Sequence, residues 1–154
     1  MEQEPTLSQD SAPRFALRAQ YIKDLSLENP HAPASLLALK EAPKVDMNVD
    51  LVAQKLQDEL FELSMVFTVR TSAERTLFIV DLTYAGIFAL SNIPEDKVEQ
   101  LMLVDCAFIL FPFARRVIAD ITRDGGFPPL LLEPIDFYRL FQERYGKNPS
   151  TSAA

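Results

Sequence analysis

The chain has 154 residues, 48% of them apolar and 24% charged, and a formal net charge of −7. This length suits one domain around a single core, and the negative charge argues against nucleic acid or an anionic membrane as main partner, since both attract basic surfaces. The single cysteine, Cys106, cannot make an intrachain disulfide and fits a reducing compartment.

Residues 1–13 are polar and carry two prolines, which reads as a flexible N-terminal arm. They lack the basic and apolar regions of a signal peptide, and no later run is long and apolar enough to span a bilayer. The expectation is a soluble, cytoplasmic protein. From Phe15 the pattern alternates through Leu17, Ala19, Tyr21, Leu25 and Leu27, predicting a strand with one solvated face. That polar face carries Asp24 and Glu28, roughly 13 Å apart at the strand rise.

Asn29–Pro43 holds three prolines and cannot continue a sheet comfortably, yet it contains Leu36, Leu37 and Leu39. So leucine-rich a connection must pack on something or offer itself to something. Val45–Leu51 predicts a short strand. The clearest alternation is Phe61, Leu63, Met65, Phe67 and Val69, and it predicts a strand beginning near Lys55. A turn at Thr71–Arg75 leads to Thr76–Leu90, β-branched, aromatic and apolar on both faces except at Asp81. That predicts a strand covered on both sides, with Gly86 marking a bend or bulge.

Pro94 followed by Glu95 and Asp96 predicts a helix start. The helix then runs through Val98–Ile121, where only Asp105 and Pro112 interrupt the apolar stretch Leu101–Phe113. A surface helix shows one apolar stripe; this one is apolar almost all round. One side can face the chain's own sheet, and the other predicts a second copy, with Leu101, Leu103, Phe108 and Leu110 as the oligomer core. Pro112 should kink or split the helix, and Gly125-Gly126 should stop it. An extended connector follows, then a last helix, Phe137–Tyr145, with Asp136 as N-cap and Gly146 as stop. Residues 147–154 read as a flexible tail, leaving one folded domain over 14–146.

Chemistry-bearing patterns point away from catalysis. One histidine, His31, and one cysteine cannot build a Ser–His–Asp or Cys–His arrangement, nor fill a four-ligand zinc site. The four glycines form no phosphate-cradling loop. The acid pairs Asp24/Glu28 and Asp46/Asp50 fall on solvated strand faces, and Cys106 in an apolar helix reads as buried and inert. No enzyme, metal or cofactor is expected; binding another macromolecule is what remains.

Four segments carry a resemblance to a known family: YIKDLSLENPHAP (Tyr21–Pro33), AGIFAL (Ala85–Leu90), ILFPFARRVI (Ile109–Ile118) and GGFPPLLLEPIDF (Gly125–Phe137). Together they resemble the SecB family of bacterial protein-export chaperones, in order, from about Phe15 to Tyr145. The resemblance implies an α+β fold: a four-stranded antiparallel sheet backed by a long helix and a shorter C-terminal helix. It implies a homotetramer, a dimer of dimers with the long helices packed between. It implies ATP-independent binding of unfolded precursor proteins, kept translocation-competent and delivered to the motor SecA. The SecA contact, an acidic patch meeting SecA's basic zinc-bearing C-terminal tail, falls by alignment on Asp24, Glu28, Ile79 and Asp81. The client groove falls on Leu36, Leu37, Leu39, Phe61, Phe78 and Phe137, with the 127–135 connector. The sequence has no tryptophan, where many relatives carry one in the proline-rich connection. A second expectation from the same likeness is a dedicated chaperone of one client, such as an antitoxin.

Overall fold

A computed structural model describes residues 12–37 and 41–145. Four strands, β1 (Arg14–Glu28), β2 (Lys44–Gln57), β3 (Leu60–Ser72) and β4 (Thr76–Ser91), form one antiparallel sheet in the order β1-β4-β3-β2. The run that is apolar on both faces is β4, second in the sheet, and none of its 16 residues is exposed. The proline-rich connection links edge strand β1 to edge strand β2, and its described residues include a short 3-10 turn, Ala34–Leu36.

One face of the sheet is covered by a continuous helix in three parts: α1 (Glu95–Gln100), a wider π segment (Leu101–Cys106) and α2 (Ala107–Asp124). Pro94 caps α1, and Glu95 and Asp96 complement its positive end. Pro112 lies inside α2 and does not split it. The bond that its ring removes would have gone to Phe108, and both residues sit on the exposed side, where water can serve the freed carbonyl. At the far end, Phe127 N–H bonds the Thr122 carbonyl at 3.1 Å and Gly126 N–H bonds that of Arg123 at 3.0 Å. With Gly126 at φ +93°, this is a Schellman stop. The last helix, α3 (Phe137–Tyr145), is capped by Asp136, whose Oδ1 accepts from Arg139 N–H at 3.1 Å.

The core lies between sheet and helix. Leu63, Met65, Phe67 and Val69 of β3 and Val80, Leu82 and Phe88 of β4 meet Met102, Cys106, Leu110, Ala114 and Ile118. Burying each large side chain contributes about 1.5–3 kcal/mol.

Three expectations change. Lys55 does not begin the third strand: Lys55–Gln57 ends β2, and the chain reverses through Asp58 and Glu59, the latter at φ +66°. Val45–Leu51 is thus part of a 14-residue strand. Gly86 is no bulge either, since its register with Gln20 and Leu63 is regular. It is a close approach, because a Cβ there would come within 2.9 Å of Leu110 Cδ2. The bulges fall instead in β1, at Arg18 and Lys23. Each inverts the side-chain phase, so Phe15 and Leu17 face the helix side, Ala19 and Tyr21 the outer side, and Leu25 and Leu27 the helix side again.

Candidate functional site: the outer face of the sheet

The face opposite the helix is organised by strand register. Glu28 pairs with Ile79 and Ile79 with Arg70; one row on, Ser26 pairs with Asp81 and Asp81 with Thr68; the next row is Asp24, Thr83 and Val66. Asp81 is therefore diagonal to both Asp24 and Glu28, a spacing of about 7–8 Å. Ile79 sits directly beside Glu28. The second bulge makes this possible, by returning Asp24 to the outer side after Tyr21. Asp24 and Glu28 are exposed; Asp81 is half-buried, and its Oδ1 accepts from the Thr68 hydroxyl at 3.1 Å. Glu28 and Asp81 thus flank Ile79, and Asp24 extends the acidic platform one row beyond Asp81. Arg70 is the cation across from Ile79, and Asp46 lies beyond it on β2.

Beside the platform lies a second carboxylate site. Glu62 of β3 is buried under hydrogen bonds from the Tyr21 hydroxyl, Lys23 Nζ (3.0 Å to Oε1) and the Ser64 hydroxyl (3.3 Å to Oε1). The Tyr21 bond, then that of Lys23, holds the Glu62 carboxyl below its ordinary 4.5, against the opposing effect of burial. Burial, reinforced by Glu62, pushes the Tyr21 hydroxyl up to about 12. Ala85, between Tyr21 and Ser64 in register, is fully buried beneath this network.

The six groove candidates do not converge in one chain. Leu36 lies on Gly126, 3.1 Å from where a Cβ would be, and Phe78 packs on Phe127 with ring centroids 4.7 Å apart. These bring the proline-rich connection, the start of the 127–135 connector and the start of β4 to one end of the sheet. Leu37, at 67% exposure, stands free beside them, and Leu39 lies outside the described residues. Phe61 is at the opposite end: it pairs with Phe88, whereas Phe78 pairs with Thr71, about 33 Å along β3. Phe61 lines a hollow of about 590 Å³ with Leu90, Ile93, Val98 and Met102. Phe137 belongs to a third place, packed edge-on to Phe111 at 5.8 Å and lining a hollow of about 260 Å³ with Phe108, Pro112 and Arg115. The connector is pinned to α2, since Arg115 Nε donates to the Leu132 carbonyl at 2.7 Å and Leu130 N–H donates to Thr122 Oγ1 at 2.9 Å.

The oligomer-core candidates divide as well. Leu103 and Leu110 are buried in the chain's own core, so neither can meet a second copy. The circumference of the helix is apolar because one arc serves the sheet; Leu101 is half-buried, and Phe108, 72% exposed, belongs to the other arc. Among the described residues, no helix is long and apolar enough to cross a membrane, and no group of three or more His, Cys, Asp or Glu could hold a metal ion.

The family model described as Preprotein translocase subunit SecB matches residues 8–148. The chain belongs to the SecB family. The Protein-export protein SecB of Hyphomonas neptunium is 47% identical over 146 residues, 92% of this chain and 86% of that protein. Those of Parvibaculum lavamentivorans and Acidiphilium cryptum are 42% and 40% identical, covering 93% and 96% of this chain and 86% and 99% of theirs. Such relatives support a SecB export chaperone. A SecB-like chaperone of Mycobacterium tuberculosis, solved with a peptide from an antitoxin, has the same fold. Its TM-score is 0.67 at 17% identity, over 79% of this chain and 91% of that one.

Within this SecB-family chain, sequence reasoning missed Tyr21, Lys23 and Glu62. The signal was present: Glu62 is the one charged residue in the alternating run Phe61–Val69. Such an acid deep in a sheet needs partners, and Tyr21 and Lys23 supply them.

Proposed function

We propose that this chain is an ATP-independent export chaperone that binds unfolded precursor proteins in the cytoplasm, keeps them translocation-competent and hands them to SecA. What supports the handover is the strand register, which sets Glu28 and Asp81 beside Ile79 and Asp24 one row beyond Asp81 on the same outer face. A basic, metal-structured tail fits that face: three carboxylates offer charge complementarity, which raises on-rates and sets orientation, and Ile79 offers an apolar contact. No catalytic step is part of this role.

Client binding uses exposed apolar surface that can take many sequences. Leu36 and Leu37 beside the 127–135 connector supply one such region, and the hollows at Phe61 and at Phe137 supply others. Because these lie apart in one chain, a long unfolded segment would engage them one after another. Assembly as a dimer of dimers would cover the remaining apolar surface, Phe108 on α2 and the helix-side residues Phe15, Leu17 and Ile22 of edge strand β1.

The test is charge reversal. Asp24→Lys, Glu28→Lys and Asp81→Lys together should weaken binding to SecA's tail peptide by more than about tenfold, with oligomer mass and client binding unchanged. Unchanged tail affinity in a folded triple variant would remove the patch assignment. A dedicated chaperone for a single client would show tight binding to one segment and little to other unfolded chains. The mycobacterial likeness contributes fold alone to that reading, and no residue described here favours it.

A further inference from the structure

The Glu62 network lies one row from the docking platform, and the residue joining the two is Lys23. Lys23 directly precedes Asp24 and is the extra residue of the second β1 bulge. A lysine beside Asp24 would ordinarily lend its charge to that carboxylate and blunt an acidic surface. Here its ammonium is held 3.0 Å from Glu62 Oε1, two strands away on β3. Glu62 is held in turn by the Tyr21 and Ser64 hydroxyls, so its own position is set by three donors from two strands. We propose that Glu62 is a positioning residue for docking: it sequesters the Lys23 ammonium, and so keeps that cation from neutralising the adjacent Asp24 when a basic partner docks.

This inference rests on the docking reading above. Its physical content is one cation moved or held. A unit charge several ångströms from the ligand's own cations, screened almost as in bulk water on this exposed face, changes affinity by about three- to tenfold. Arg70, the cation on the far side of Ile79, is untouched by the device and serves as an internal reference.

The test is a double-mutant cycle read by the affinity of SecA's zinc-loaded tail peptide for the full-length assembly. Glu62→Gln, nearly isosteric, should weaken binding by about three- to tenfold. In a Lys23→Met background the same substitution should change affinity by less than about twofold, because no cation remains to be released. Equal losses in both backgrounds would mean that Glu62 attracts the ligand directly or only supports the sheet, and no loss in either would mean that Lys23 is never a competitor; each result overturns the proposal. If Glu62→Gln does not assemble, Glu62→Asp serves in its place, keeping the charge but falling one methylene short of Lys23. The triple reversal at Asp24, Glu28 and Asp81 runs beside it. Loss there without coupling at Lys23 and Glu62 sinks this inference alone, whereas no loss there sinks docking itself.

Discussion

Thr122 shows how much one buried hydroxyl can organise. Fully buried in α2, it donates to the Ile118 carbonyl at 2.9 Å, with that of Ala119 at 3.0 Å, and accepts from Leu130 N–H. Thr122→Val keeps the volume but orphans the Leu130 donor, and it should cost about 1–3 kcal/mol in a denaturant titration. Gly86→Ala should cost a similar amount by forcing Leu110 off α2's seat on β4. Burial, then the nearby Asp105, pushes the Cys106 thiol up to about 12. Thiolate is the reactive form, so Cys106 should resist a thiol reagent at neutral pH until the chain unfolds. Glu62, with its carboxyl lowered, contributes stability that is present above the ordinary carboxylate value and lost as pH falls through the lower folded value. Tyr21 does the reverse, losing its contribution as pH rises towards 12. An acid titration of Glu62→Gln should therefore show a shallower loss of stability than the parent.

At the scale of elements, the long helix has one arc buried against the sheet and another, exposed arc that carries Phe108. Leu110→Ala should destabilise the chain itself by about 2–5 kcal/mol, whereas Phe108→Asp should leave the fold intact and reduce the assembled mass in light scattering. Those two outcomes reversed would mean that the arcs are misassigned. Much of this was legible in the sequence: alternation gave β3, a run apolar on both faces gave β4, Pro94 and Gly125-Gly126 bounded the helix, and Asp136 capped α3. What alternation could not show was phase. Two single-residue bulges in β1 leave the composition of the strand unchanged, yet they invert its faces twice, and that inversion puts Tyr21 and Asp24 on the same side. Likewise the tight reversal at Asp58-Glu59 has no glycine, so the end of β2 read as the start of β3. The apolar circumference of the helix was visible, but which leucines face inward depends on the sheet it packs against.

For the whole molecule, the proposed roles fall on opposite faces of one sheet: apolar surface for copies and clients would lie on the helix face and its neighbours, and charge for a partner on the outer face. With a net charge of −7 and the acidic docking face proposed above, tail binding would be salt-sensitive. Raising ionic strength should therefore weaken the tail interaction while leaving client binding, which buries apolar area, largely unchanged. Whether an assembly of this chain holds unfolded polypeptide can be read by light scattering on size exclusion, with and without an unfolded precursor. An assembly of four chains whose mass rises by one client is expected. A single chain, or a tetramer whose mass ignores unfolded precursors, would contradict it.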